Sequence, residues 1–240
     1  MKIIVTKNYE EMSKEAAKIV LGVVKTDPEA VLGLATGSTP IGMYREMIRD
    51  HEENGTSYRN VRTVNLDEYA GLDETSDQSY VYFMRKNLFD SLDIDRKNTN
   101  IENGKAADRE KECERYNALL HEMQQSVQVL GIGSNGHIAF NEPGTPFGSE
   151  THIVDLTEST IRDNSRLFSR IEEVPRQAFT MGLKNIMNAK KIVILANGKN
   201  KAKAVYGLVK GPVTEQLPAS VLQLHPDCTV VVDEEAASLL

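Results

Sequence analysis

His137, Asn135 and Glu142 stand close together in the stretch Gly133-Ser134-Asn135-Gly136-His137-Ile138-Ala139-Phe140-Asn141-Glu142-Pro143. An imidazole titrates near neutrality, so it can both take and give a proton. A carboxylate nearby can hold its ring in one orientation, and an amide can do so without adding charge. Glycines at 131, 133 and 136 let the backbone come close to a small ligand. The glycines fit the spacing G-x-G-x-x-G, but a dinucleotide loop should open a helix, and this one runs into Pro143-Gly144. No second His or Cys lies near enough to suggest a metal. A lone loop histidine is ordinarily structural; the company of Asn135 and Glu142 favours catalysis.

Three further groups could share that chemistry. Asn65-Leu66-Asp67-Glu68-Tyr69 places two carboxyls at the end of an apolar run. Adjacent strand residues face opposite ways, so Asp67 or Glu68 can face a cleft while the other turns away to pair with something basic. A solvated acidic turn is the alternative. Thr36-Gly37-Ser38-Thr39-Pro40 joins a strand to a helix, with Thr39 expected as N-cap and Pro40 as first helical residue. Hydroxyls and unpaired N–H groups at such a junction suit an anion, although no Gly-Lys-Ser/Thr marks a Walker loop. Arg166, and Lys199, Lys201 and Lys203 at a helix start, could clamp a phosphate. Taken singly, each reads first as a solvated surface charge. His121, His152 and His225 are expected to be structural or surface groups.

The elements that must position these groups alternate. Strands are predicted at 3–5, 31–35, 61–66, 127–130, 192–196 and 228–232. Helices are predicted at 8–25, from 40, at 77–90, 107–124, 157–168 and 182–189, and from 199. Continuous apolar runs such as Val31-Leu32-Gly33-Leu34-Ala35 suit strands covered on both faces. The reading is an α/β fold: an open Rossmann-like three-layer sandwich on a mostly parallel sheet, formed by a single domain over residues 1–240. Residues 144–185 are the least regular part and are expected to act as a lid. Apart from Arg166, which falls in the expected lid, the candidate residues follow the carboxyl ends of strands, where open α/β sheets bind ligands.

Composition narrows the partners. Net charge is -7, with 28 Lys and Arg against 35 Asp and Glu, which argues against a general nucleic-acid binder. Hydrophobic residues are 40% and charged residues 26%, ordinary for a globular chain. Cys113 and Cys228 lie far apart without metal spacing and are expected to be reduced thiols. The apolar start at Ile3-Ile4-Val5 is too short for a signal peptide, and no run approaches a membrane span. The expected address is the cytoplasm.

Taken in order, Leu34-Ala35-Thr36-Gly37-Ser38-Thr39-Pro40, Val64-Asn65-Leu66-Asp67-Glu68-Tyr69-Ala70-Gly71-Leu72, residues 131–144, Asn164-Ser165-Arg166 and Leu222-Gln223-Leu224-His225-Pro226 resemble the glucosamine-6-phosphate deaminase (isomerase) family. The resemblance covers essentially the whole chain. It implies an open Rossmann-like sandwich and conversion of D-glucosamine 6-phosphate and water to D-fructose 6-phosphate and ammonia, without metal or organic cofactor. It further implies that His137, assisted by Glu142 and Asn135, opens the sugar ring. By the same resemblance Asp67 moves the C2 proton to C1, and Gly37, Ser38, Thr39, Arg166 and Lys201 hold the phosphate.

The sequence departs from the family's pattern in two respects. Many members carry Asp where Asn135 stands; Asn can still bond the imidazole, but it brings no charge. Allosteric members use basic residues after the loop, where this chain has Glu150-Thr151-His152-Ile153-Val154, and they run on beyond the position of Leu240. Both departures imply a non-allosteric enzyme, a monomer or small homo-oligomer, acting on a small sugar phosphate. Two other readings stay open: a 6-phosphogluconolactonase-like hydrolase of the same broad fold, and a non-catalytic sugar-phosphate-sensing domain.

Overall fold

The computed structural model describes residues 1–158, 161, 170 and 173–240. The helix expected over 157–168, and Asn164, Ser165 and Arg166 with it, lie outside the described residues. Seven strands form one parallel sheet: β1 (Lys2–Thr6), β2 (Val31–Leu34), β3 (Arg62–Asn65), β5 (Thr99–Asn100), β6 (Val127–Gly131), β9 (Ile192–Ala196) and β10 (Cys228–Asp233). Their order is β1-β10-β9-β6-β2-β3-β5. Every pairing within it is parallel, with Ile3 opposite Val230 and Leu34 opposite Asn65.

Strand alternation sorts the core into two layers. Leu32, Leu34, Val127, Val129, Val193 and Val231 face one side. There they meet Met12, Ala16 and Val20 of α1 (Tyr9–Thr26), Met43 and Met47 of α2 (Ile41–Asn54), and Met84 of α3 (Tyr80–Asn87). Val31, Val64, Leu130, Ile192, Ile194 and Val230 face the other. They meet Leu120 of α4 (Arg109–Glu122), Ile186 of α5 (Leu183–Met187) and Val205 and Leu208 of α6 (Ala202–Lys210). Near-continuous apolar strands are what such double coverage requires. The helix ends are built locally. The Asn8 side chain accepts the Glu11 N–H at 2.9 Å to start α1, and α1 stops at Thr26, before the Asp27-Pro28 break.

The second sheet was not legible in the sequence. β4 (Asp67–Tyr69), β7 (His152–Asp155) and β8 (Gln177–Thr180) form a three-stranded antiparallel sheet in the order β4-β8-β7. The chain passes from the parallel sheet to this one through Leu66. Its N–H donates to Leu34 O at 3.1 Å and its carbonyl accepts from Met181 N at 2.6 Å. The segment 144–185, expected to be irregular, therefore supplies two strands: β8, which pairs with the strand carrying Asp67, and β7, which pairs with β8 on its far side. α2 also begins one residue later than expected. Pro40 is its N-cap in helical conformation, and Thr39 Oγ1 instead donates to Asn197 Oδ1 at 3.1 Å.

Strand order reverses between β2 and β6, the point where successive crossovers leave the sheet in opposite directions. The crevice outside the carboxyl ends of such a pair is where open α/β folds bind ligands. Among the described residues no helix is long and apolar enough to cross a membrane. Cys113 and Cys228 are both buried free thiols.

Candidate active site

A cleft of about 300 Å³ opens at that reversal point. Four loops line it: Ala35 to Pro40 after β2, Leu66 and Asp67 after β3, Gly131 to Phe140 after β6, and Lys201 after β9. Tyr80, the first residue of α3, completes the wall. Asp67, His137, Gly37, Ser38, Thr39 and Lys201 therefore share one cavity, although they come from four separate parts of the chain. Asn135 and Glu142 stand behind His137. Arg166 lies outside the described residues.

The Gly133 loop holds the imidazole by shape. The Gly133 N–H donates to His137 O at 2.9 Å, folding the loop back on itself. A Cβ on Gly133 would fall 2.4 to 2.6 Å from three ring atoms of His137. The imidazole thus lies flat against a backbone that only glycine leaves bare. Gly136 has φ +87°, a region that penalises other residues. Ala139 has φ 52°, the one non-glycine residue in that region among the described residues. The strained turn there aims the Phe140 N–H at Thr180 Oγ1, 3.1 Å away, so the loop is fastened to β8.

Asn135, Glu142 and His137 form a relay different from the one expected. Asn135 does not bond the imidazole. Its Nδ2 donates to Glu142 Oε2 at 2.6 Å, and its Oδ1 accepts the backbone N–H of His137 at 3.1 Å. Glu142 Oε1 stands 3.4 Å from His137 Nδ1, in ion-pair range but without the alignment of a hydrogen bond. Asn135 orients the carboxylate, and the carboxylate faces the ring. The side chains of His137 and Glu142 are 30% and 23% exposed, so a ligand in the cleft can reach the imidazole.

The loop after β2, expected to receive an anion, is shaped by its backbone. Gly37 turns at φ +102°. Tyr9 Oη donates to Ser38 O at 2.9 Å and accepts the Gly42 N–H at 2.8 Å, clamping the loop to α1. Tyr44 Oη brackets Ala35, donating to its carbonyl at 2.6 Å and accepting its N–H at 3.2 Å. On the facing loop the Asp233 carboxylate accepts the Gly198 N–H at 3.0 and 3.1 Å, fixing the turn that leads to Lys201. Tyr9, Tyr44 and Asp233 were missed in the sequence because each is remote from the residue that it positions.

Asp67 and Glu68 are the strongest electrostatic feature. Asp67 is 7% exposed and Glu68 1%. Burial, then the Glu68 charge, push the Asp67 carboxyl up to about 8. Burial pushes Glu68 up to about 7 against the pull of backbone N–H bonds from Tyr80, Val81 and Tyr69. One acid of the pair was expected to turn away toward a basic group, and Glu68 is that acid. It does turn away, but its partners are those N–H groups. Below the pair lies Glu102, 1% exposed, with no hydrogen-bond partner on either carboxyl oxygen. Burial holds its carboxyl well above the usual range, and the Asp67, Glu68 and Glu112 charges add to that.

A larger cleft of about 420 Å³ lies between α4 and α5. Its Glu150 is matched by Lys184 at 2.8 Å and His121 at 3.5 Å, and it holds no imidazole facing a raised carboxyl. The crevice at β2 and β6 does bring an imidazole and a raised carboxyl into one cavity. Among the described residues no cluster of His, Cys, Asp or Glu has metal-binding geometry.

Fold and cleft together define an open-sheet α/β protein whose crevice gathers an imidazole, a raised carboxyl and a glycine-turned strand-to-helix loop. The chain belongs to the family described as glucosamine-6-phosphate isomerases/6-phosphogluconolactonase, whose profile it matches over residues 6–231. A glucosamine-6-phosphate deaminase of Clostridium perfringens is 52% identical over 100% of both chains. One of Thermoanaerobacter pseudethanolicus is 53% identical over 100% of this chain and 95% of its own. A solved structure described as a monomeric glucosamine-6-phosphate deaminase superposes with a TM-score of 0.98 at 48% identity, covering both chains fully. The 6-phosphogluconolactonase of Trypanosoma brucei shares the fold, with a TM-score of 0.81, but is 21% identical.

Two outcomes test this geometry. Gly133→Ala forces the imidazole off its seat, and a displacement of about 1 Å at a reacting group costs on the order of 100-fold in rate. Steady-state kinetics should show that loss with an almost unchanged thermal midpoint, because the ring can swing toward solvent. Glu102→Leu removes two buried unpartnered oxygens and should raise the midpoint at pH 7–8 by roughly 2–4 °C for each kcal/mol gained. The wild-type penalty arises because the unfolded carboxyl ionises above about 4.5 while the buried one does not. Calorimetry across pH should therefore show the advantage of the variant shrinking as pH falls toward that value.

Proposed function

We propose that the protein is a glucosamine-6-phosphate deaminase: it isomerises D-glucosamine 6-phosphate and releases ammonia, leaving D-fructose 6-phosphate. The observation that carries this reading is the convergence of Asp67 and His137 on one cleft that ends in an anion loop. The phosphate lies on Gly37, Ser38 and Thr39, with Lys201 and Arg166 as its cations. His137, facing Glu142, moves the proton between the anomeric hydroxyl and the ring oxygen, so that the pyranose opens. Asp67 then takes the C2 proton of the open aldehyde and returns it to C1.

The residue types suit these steps. One carboxylate can serve both carbons, because they are adjacent and the proton stays on one face. The substrate's ammonium acidifies the C2–H bond, and its positive charge favours the ionised form of Asp67 when bound. A carboxyl raised by burial is a stronger base than an exposed one once it has lost its proton. The resulting ketose imine is hydrolysed by water, with loss of ammonia. No cofactor takes part in this scheme. The chain acts as one domain in the cytoplasm, as a monomer or small homo-oligomer, and needs neither nucleic acid nor membrane.

Ammonia release from D-glucosamine 6-phosphate is the direct assay. Lactone hydrolysis without ammonia release would replace this reading with the hydrolase one, and binding without turnover would replace it with a sensor. Asp67→Asn should retain substrate binding, abolish exchange of the C2 proton with solvent, and lower kcat by at least about 100-fold, as expected when a general base is removed. The acidic limb of kcat/KM reports the base in the free enzyme, which must be ionised to act. It should lie near pH 8, well above an ordinary carboxylate.

A further inference from the structure

The reaction scheme leaves Glu68 without a part, yet it is the most completely engaged carboxyl near the site. Its Oε1 accepts the N–H of Tyr69 at 2.8 Å and of Tyr80 at 3.0 Å. Its Oε2 accepts the N–H of Tyr80 at 3.0 Å and of Val81 at 3.1 Å. Tyr80 and Val81 are the first residues of α3, so a side chain from the small sheet grips the start of a helix on the other side of the cleft. Ser79 caps the same helix independently, accepting the Tyr82 N–H at 3.1 Å. The helix thus has its own cap, and the Glu68 grip fixes where α3 sits.

What this grip fixes is the cleft wall. Tyr80 lines the cavity. Its ring centroid is 4.9 Å from that of Tyr69 and 6.4 Å from that of Phe140, nearly parallel to the latter at 11°. Phe140 belongs to the loop that seats His137. Gly104 closes Glu68 off from below: a Cβ there would stand 2.6 Å from the carbonyls of Tyr69 and Leu72 and 3.5 Å from Glu68 Cγ.

We propose that Glu68 is the positioning residue of this site: it ties the strand bearing Asp67 to the helix bearing Tyr80, and it keeps a negative charge against the base. The proposal rests on the deaminase reading, in which Asp67 is the base. Around the two carboxyls stand Tyr44 on α2, Tyr80 on α3, Glu102 ahead of α4 and Tyr116 on α4, each electrostatically coupled to Asp67. Across the cleft are His137 and Lys201. Among the nearest of these, Glu68 is the neighbour whose charge raises Asp67 most.

Glu68→Gln removes the charge while keeping the size, and its amide nitrogen cannot accept from Val81. The expected result is a KM within about threefold of wild type, a kcat lower by about tenfold, and an acidic limb of kcat/KM moved down by about one pH unit. A lowered kcat with the limb in its original place would reduce Glu68 to a structural residue and overturn the proposal. Should the variant fail to fold, the wild-type enzyme supplies the second test. Carboxyl NMR titration should show Asp67 and Glu68 titrating as a coupled pair in two shared steps; independent single-step curves would overturn the proposal. Asp67→Asn, measured alongside, separates the two claims. If that variant still exchanges the C2 proton, the base assignment fails. If exchange is lost while the Glu68→Gln limb stays put, only the positioning role fails.

Discussion

One residue, Leu66, joins the two sheets. Its N–H completes the parallel ladder against Leu34, and its carbonyl starts the antiparallel one against Met181. Buried backbone groups must be paired, so the chain cannot leave the first sheet without an immediate partner in the second. The next residue is Asp67. It stands at the fork itself, and its position is set by two ladders rather than by a loop. The same β8 that receives β4 also offers Thr180 Oγ1 to the Phe140 N–H. The acid and the imidazole are consequently referenced to a common strand, which explains how side chains so distant in sequence can hold a fixed separation.

The parallel sheet was readable because its strands are covered on both faces. Runs such as Ile192-Val193-Ile194-Leu195-Ala196 carry no polar interruption, and the Asp27-Pro28 break marks the end of α1. The small sheet was not readable for the opposite reason. The burial of β7 is intermediate to exposed, and β4 has only three residues, two of them acidic. Short polar strands are made by tertiary pairing, which leaves no periodic signature. Thr39 illustrates a subtler override: its residue type suits a cap, but Asn197, from a loop far along the chain, took its hydroxyl.

At the cleft, the sequence pointed to the titratable side chains but not to their bonding. Asn135 was read as a partner of the imidazole because it is near in sequence; folding turned it toward Glu142 instead. The residues that hold the loop after β2 in place, Tyr9 and Tyr44, carry no local motif at all. The comparison with 6-phosphogluconolactonases follows the same logic. At a TM-score of 0.81 and 21% identity the scaffold is shared, and a shared scaffold does not by itself assign the chemistry.

β1 has a single sheet neighbour, β10, and Ile3 lies opposite Val230 across almost the whole length of the chain. During synthesis the first strand must wait, unpaired, until the last one has been made, since loop closure over such a span precedes any contact that would compensate it. The interior strands can assemble earlier around β2 and β6. Completion of the sheet edge, and the docking of α1 against β10 and β9, is therefore a closing event in the life of each new molecule, and truncation near residue 228 would leave the opening segment without a place.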